Sequence, residues 1–461
     1  LRGRLKPGDV LPGSRTLAAS LGVHRNTVLA AYRELEAEGF TEASLAKDTR
    51  VSRELPASRA ARSPALAANP RATAVPSREH AGFDLGAAPP ALATSAPPRG
   101  TIALYGGVPD LSMVPTRALA RAYRRALAST RSPLGYGDPA GEPRLRAALA
   151  EMASRSRGVA ASAEDVLVTR GSQMALYLAA RTLLRPGDAV AVEAWGYRPA
   201  WEALAATGAE LVPVPVDREG LDVERLVEIA GTKRLRAVYV TPHHQYPTTA
   251  LLSQARRMQL LAFAKRERVA ILEDDYDHEF HYDNKPVLPL ASRDEHGVVV
   301  YFATLSKILA PGLRLGFVVA PRAVLARMTA YRALVDRQGD RAVELAIAEL
   351  AEDGEIERHA RRMRRTYASR RDAFVELLSR RFDGVLEWET PAGGMAVWCH
   401  APGLDVDAWA ARAEAAGVAL QTAQRFAFDG RRRPFLRLGF AGHDERRLRL
   451  AVERLARALD G

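Results

Sequence analysis

The chain has a single cysteine, Cys399, in 461 residues. An intrachain disulfide is therefore excluded, and a reducing cytoplasm is the compartment that fits. Long apolar runs are missing as well: none reaches the length of a membrane span, and no signal peptide is visible. Metal-ligand spacing is also lacking. His278 and His281 stand alone in the sequence, and an Asp/Glu cluster without a glycine-turned loop is not a calcium signature, so no metal is expected. No internal repeat is present. What the chain does have is basic charge, 66 Lys+Arg against 54 Asp+Glu, for a formal net charge of +12 and a pI near 10.0. Such a balance favours a polyanionic partner, although an arginine- and alanine-rich composition produces the same excess by itself. The length allows one small and one large domain, and 47% hydrophobic residues can fill a large core.

The most informative stretch is Thr304-Leu-Ser-Lys-Ile-Leu-Ala-Pro-Gly-Leu-Arg314, which follows the β-branched, aromatic run Val298-Val-Val-Tyr-Phe302. That run reads as a buried parallel strand, and Lys307 emerges just past its carboxyl end, where ligands sit in open α/β sheets. A partly desolvated lysine has its ammonium disfavoured, so its amine is free to attack an aldehyde such as that of pyridoxal 5'-phosphate (PLP). Ser306 and Arg314 supply a hydroxyl and a fork-shaped cation for a phosphate. The competing reading, a surface lysine in a loop, is equally compatible with these eleven residues alone. Upstream, Val269-Ala-Ile-Leu272 reads as a second buried strand that runs into Glu273-Asp-Asp-Tyr-Asp277. Strand alternation puts Asp274 and Tyr276 on one side and Asp275 on the other. Asp274 is then suited to hold a pyridine nitrogen protonated, with the Tyr276 hydroxyl reaching the cofactor's phenolic oxygen. A one-residue slip exchanges the two acids. A third segment, Val166-Leu-Val-Thr-Arg-Gly-Ser-Gln173 followed by an apolar helix, offers an anion site at a helix start, with Gly171, Ser172 and Gln173 as donors. An ordinary helix cap has the same sequence.

In this order the three segments resemble the fold-type I PLP enzymes, the aspartate-aminotransferase family, from about Thr101 to the carboxyl terminus. Further matches are Gly135-Tyr-Gly-Asp-Pro-Ala-Gly141, Glu193-Ala-Trp-Gly-Tyr197, Thr241-Pro-His-His-Gln-Tyr-Pro-Thr248 and Arg437-Leu-Gly-Phe440. The resemblance implies that Tyr197 stacks on the pyridine ring, that Tyr136 reaches a phosphate across a dimer interface, and that Arg437 grips a ligand carboxylate. Two positions depart from the pattern: Tyr246 stands where the family has an asparagine on the phenolic oxygen, and Pro247-Thr-Thr249 replaces Pro-Thr-Gly.

Ahead of this body, Leu11 to Gly39 contains two short amphipathic helices in helix-turn-helix spacing. Ser14 is placed to cap the first, whose Leu17 and Leu21 share a face, and Gly22 stops it. Val28, Tyr32 and Leu35 form the stripe of the second. Ser14, Arg15, His24, Arg25, Asn26 and Thr27 present side chains of the kinds that reach phosphates and base edges of double-stranded DNA. An amphipathic hairpin that binds a protein would share the spacing. Pro12-Gly-Ser-Arg-Thr-Leu-Ala and Arg25-Asn-Thr-Val resemble the winged-helix signature of GntR-type regulators, and a GntR-like head on an aminotransferase-like body resembles the MocR subfamily. The head departs from that pattern at His24, where serine is usual, and at Ala43-Ser-Leu-Ala-Lys-Asp-Thr-Arg50, where the wing lacks glycine turns. The expected organisation is α/β: a winged helix-turn-helix over 1–54, expected to be amino-terminally incomplete, a flexible Ala/Pro/Ser/Arg-rich linker over 55–100, and a PLP-binding body over 101–461 with a mostly parallel sheet and a smaller C-terminal α+β lobe. The resemblance implies a homodimer, head-to-tail in arrangement, that senses an amine or amino-acid effector through a Lys307 aldimine and reports it to an operator. A working aminotransferase with a vestigial head is the alternative.

Overall fold

A computed structural model describes residues 5–43, 48–53, 81, 83–85, 97–98, 100–129, 133–283 and 287–460. It divides into two compact units, Leu1–Ala88 and Pro89–Gly461. Most of the 55–100 stretch expected to be a linker lies outside the described residues, as do wing residues 44–47.

In the first unit, α1 (Ser14–Leu21) and α2 (Arg25–Ala37) precede an antiparallel pair, β1 (Thr41–Ala43) and β2 (Thr49–Val51). Among its described residues Ala18, Val28 and Val51 are the buried apolar ones, and the Tyr32 hydroxyl donates to the Pro12 carbonyl at 2.7 Å. Gly22 ends α1 at φ 64°, the left-handed conformation that glycine adopts without steric penalty. The expected Ser14 cap is corrected: Gly13 occupies that position and Ser14 is the first helical residue, because the helix begins one residue earlier than the cap assignment requires.

The second unit is built on seven strands: β3 (Val166–Thr169), β4 (Ala189–Glu193), β5 (Glu210–Val214), β6 (Leu235–Val240), β7 (Ala270–Asp275), β8 (Val299–Thr304) and β9 (Gly316–Val319). Their order is β3-β9-β8-β7-β6-β4-β5. Only β9 runs against the rest, pairing antiparallel with both β3 and β8. The carboxyl ends of the other six therefore share one edge. Strands buried on both faces read as continuous apolar runs, as most of these do. Alternation then sorts their side chains. Tyr239, Leu272 and Phe302 face one layer, with the helices Gly171–Leu183 (α3), Arg198–Ala205 and Arg322–Val335. Val238, Ile271 and Tyr301 face the other, with Pro143–Arg157, Gln254–Glu267 and Arg341–Glu352. Each fully buried Val, Leu or Ile contributes about 1.5–3 kcal/mol, so the two layers hold the strand ends at fixed register.

The chain then passes through the 27-residue helix Glu355–Arg381 into a four-stranded antiparallel sheet that includes β10 (Ala396–His400) and β11 (Phe435–Gly439). Met363, Tyr367 and Phe374 of the long helix pack with Val397, Leu436 and Leu438 in a third core. Cys399 lies buried in β10. Among the described residues no helix is long and apolar enough to cross a membrane.

Candidate functional site

The edge formed by the parallel strand ends carries most of the chemistry. Lys307 follows β8 by three residues and is half-buried, and its Nζ donates to the Gly107 carbonyl at 2.7 Å. Burial pulls its pKa down to about 8, the Arg437 cation adds to that, and Asp277 and Asp274 oppose it. A substantial fraction of the amine is therefore neutral near physiological pH.

Asp274 and Asp275, adjacent at the end of β7, sit in opposite surroundings. Asp274 Oδ2 accepts from the Tyr239 hydroxyl at 2.8 Å, while Oδ1 has no partner among the described residues. Burial raises its pKa to about 6. Asp275 accepts from Tyr301 at 2.6 Å and pairs with His278 Nδ1 at 3.0 Å. Burial works against its charge too, but His278, His243 and Arg157 outweigh it and hold the carboxyl below the usual range. Tyr276 is half-buried, and its hydroxyl donates to the His244 carbonyl at 3.0 Å.

At the start of α3, Gly171 has φ +74°, and a Cβ there would lie 2.9 Å from Arg314 Nη2. The missing side chain is what admits the guanidinium to the helix start. Arg314 donates to the Arg170 carbonyl at 3.0 Å. Ser306 is buried and Ser172 half-buried. Gln173 is turned away from this group: its Nε2 donates to the Pro199 carbonyl at 2.9 Å. The Tyr197 phenol is raised to about 12 by burial, with Tyr246 and Asp274 adding to it and Arg314 and Arg425 opposing. Tyr136 stands apart within the single chain, 78% exposed, with the Arg337 guanidinium 4.0 Å above its ring.

Arg437 is the most unusual residue of the site. It is fully buried in β11, and none of its three guanidinium nitrogens has a hydrogen-bond partner among the described residues. Its cation lies 4.4 Å from the Tyr246 ring centroid, and Gly106 leaves the room it occupies, since a Cβ there would fall 2.5 Å from Nη1. Tyr246 in turn meets Tyr197, Tyr276 and Phe426 at ring separations of 5.5, 6.0 and 5.5 Å. An unpaired buried cation is expensive, and an anion beside it would offset that cost.

Several contributors escape a reading of the sequence. Tyr239 sits in Leu235-Arg-Ala-Val-Tyr-Val240 and looks like core. Gly106 and Gly107 carry no side-chain signal. The expectation that His278 and His281 stand alone is also corrected. The fold brings His243 and His244, from the segment after β6, beside them, with ring centroids 4.7 Å apart for His243–His244 and for His243–His278.

In the head, the His24 ring caps α2 by accepting from the Asn26 amide at 3.3 Å. Arg15, Arg25, Asn26 and Thr27 are exposed, and Ser14 Oγ accepts from Arg25 Nε at 3.3 Å. Ser14 therefore orients Arg25 in the place of capping its own helix.

Residues 105–455 match the model of the aminotransferase class I and II family, and residues 1–51 that of the bacterial regulatory proteins of the gntR family. A probable rhizopine catabolism regulatory protein MocR from Rhizobium meliloti is 34% identical over 99% of this chain and 91% of its own length. The HTH-type transcriptional regulator TauR of Rhodobacter capsulatus is 33% identical over 100% and 94%. The chain belongs to the MocR-type GntR regulators. Among solved structures, LysN, an alpha-aminoadipate aminotransferase from Thermus thermophilus complexed with N-(5'-phosphopyridoxyl)-L-leucine, superposes with a TM-score of 0.74 at 30% identity, covering 79% of this chain and 93% of that one. The body of this MocR-type chain thus has the PLP-dependent aminotransferase fold, and its residues fit the cofactor. Asp274 keeps an unpartnered buried oxygen, the Lys307 amine is depressed, and Gly171 opens a cradle beside Arg314.

Proposed function

We propose that the chain is a PLP-dependent transcriptional regulator that reports an amino-acid effector to a DNA operator. The observation that carries this reading is the fully buried Arg437, whose guanidinium lacks a partner among the described residues and depresses the nearby Lys307 amine. A bidentate carboxylate satisfies such a group, and a simple amine does not. When bound, PLP supplies an aldehyde that condenses with primary amines and a ring that accepts electrons. Lys307 supplies the amine for covalent attachment, and Asp274, oriented by Tyr239, holds the proton of the pyridine nitrogen. Ser172, Ser306 and Arg314, with the Gly171 amide, bind the phosphate. Tyr197 would cover the ring, and the Tyr276 hydroxyl would turn from the His244 carbonyl to the cofactor's phenolic oxygen.

Exposed Tyr136 suits the reach toward a partner subunit in a homodimer. The boundaries 1–54, 55–100 and 101–461 leave a connection long enough for heads exchanged head-to-tail. Arg15, Arg25, Asn26 and Thr27, with Ser14 and His24 fixing the start of α2, form the DNA-reading side. A working aminotransferase is the second reading, supported by the retained set of Lys307, Asp274 and Arg437.

The test uses the holoprotein and the intergenic DNA next to its gene. Amino acids should change both the cofactor's visible spectrum and the footprint, and the matching decarboxylated amines should do so only at much higher concentration. Turnover of amino-acid and keto-acid pairs at rates of ordinary enzymes would replace this reading with the second.

A further inference from the structure

Three imidazoles converge in a place that the cofactor chemistry does not use. His243 and His244 follow β6, His281 follows β7, and one ring nitrogen from each lies within 4.8 Å of the others. His243 is 2% exposed with neither ring nitrogen hydrogen-bonded among the described residues, and His244 is 1% exposed with Nε2 lacking a partner. The His281 ring stacks at 21° to that of His244 with centroids 6.0 Å apart. Buried polar atoms in native structures nearly always find a partner, so three orphaned nitrogens on two adjacent rings call for an occupant.

The surroundings say which kind. His244 Nδ1 meets Asp277 Oδ1 at 2.8 Å, both side chains fully buried. A carboxylate on one ring nitrogen fixes the tautomer and aims the lone pair of the other outward, which is how metal-binding histidines are held. Gly393 leaves space at that second nitrogen, because an added Cβ would collide with Nε2. His243 and His281 also border a cavity of about 660 Å³, through which an ion and a water ligand can enter.

We propose that His243, His244 and His281 bind one divalent transition-metal ion, zinc by preference, with Asp277 as the positioning residue for His244. Three neutral imidazoles and an open fourth position are a zinc arrangement, and ligation at about 2.0–2.1 Å draws the three nitrogens closer than the spacing observed without an ion. Three oxygen-poor ligands disfavour magnesium and calcium. A second triad, His243, Asp275 and His278, shares one ring. There Asp275 Oδ2 already accepts from Tyr301 and meets His278 Nδ1, leaving only Oδ1 open, so we assign the ion to the first triad, whose three imidazoles are the nitrogen-rich set that zinc prefers. The ligands lie on the two segments that also carry Tyr246 and Tyr276, and the bound ion ties these segments together beneath the cofactor site.

The experiment takes the full-length holoprotein with any purification tag removed, strips it with a chelator, and adds Zn2+ or Co2+ alone. Elemental analysis should give one ion per chain, Co2+ should add visible absorption bands typical of a four- or five-coordinate site, and the melting temperature should rise. His243→Ala and His281→Ala should each abolish stoichiometric binding, His278→Ala should retain it, and Asp277→Asn should weaken affinity about 10–100-fold. His281 is only half-buried, so its variant tests binding with the least disturbance, and melting in chelator shows that each variant is folded. Absence of a stoichiometric ion in the wild type overturns the site. So does wild-type affinity in His281→Ala, or loss in His278→Ala with retention in His281→Ala.

Discussion

The two sides of β7 at its carboxyl end are chemically alike and electrostatically opposite. On one side Asp275 has Tyr301 and His278, and Arg157 donates to the same Tyr301 hydroxyl at 2.5 Å and pairs with Glu279. Each aspartate keeps one oxygen without a partner among the described residues, but on the other side Asp274 has a single hydrogen bond and no paired cation, and Arg437 has no hydrogen bond from its guanidinium to any described residue. Arg157 and Arg437 are almost equally buried. The difference is what supports the proposed place of the ligand. A buried cation with partners of its own, as Arg157 has, is held by the fold alone, whereas one with no hydrogen bond, as Arg437 is among the described residues, is stabilised by a partner of the right shape.

The sharpest way to break this comparison is to remove each arginine. Arg157→Ala should lower stability by about 3–5 kcal/mol, because it leaves the buried Tyr301–Asp275 pair without its cation and the half-buried Glu279 unpaired. Arg437→Met in cofactor-free protein should leave stability unchanged or raise it, since no hydrogen bond is lost and relief of a buried charge outweighs the contact with the Tyr246 ring. Equal losses in denaturant melts of the two variants would erase the distinction.

The carboxylates should separate in the same manner but more weakly. Asp274→Asn should reduce cofactor retention by on the order of tenfold or more, in line with about 1.5–3 kcal/mol for a hydrogen bond to a charged group. Asp275→Asn should spare retention and lower the melting temperature. Equilibrium dialysis of the cofactor beside thermal melts reads both, and a larger retention loss at Asp275 would mean the sides are reversed. The head provides a third kind of arginine. Arg25 is exposed, so its removal should leave stability and the cofactor spectrum intact while weakening operator binding by roughly 1–3 kcal/mol. Wild-type operator affinity at matched salt would remove Arg25 from the reading surface.

How much of this was legible in the sequence depends on the range of the interaction. Alternation along one strand is local, and it separated Asp274 from Asp275 before any contact was known. Lys307 and Arg314 were legible for the same reason, since a strand and a tight turn carry both. Tyr239 was not: its tie to Asp274 crosses to a neighbouring strand, and within its own strand it is one more apolar-looking position. The Gly107 carbonyl that receives Lys307 lies 200 residues away and has no side chain to advertise it. The four histidines come from two segments that only the β6–β7 pairing brings together. Thr249 shows a departure whose structural meaning was hidden. It takes φ 63°, a glycine-type conformation, where the resembled family has glycine. Thr249→Gly should therefore raise stability slightly, by about 1 kcal/mol or less, as left-handed strain at a β-branched residue is traded against chain entropy. A lower melting temperature would show the threonine is not strained.

The central claim is that the open side of β7 waits for a carboxylate. Its most direct test is an effector titration of wild-type and Arg437→Lys holoprotein from parallel preparations, with melting temperature and operator affinity measured on each. Lysine keeps the charge and loses the fork. The account predicts an unchanged cofactor spectrum, operator affinity and melting temperature in Arg437→Lys, with the amino-acid-induced spectral change and DNA response gone. A normal effector response in that variant, or a collapse of every property together, would contradict it.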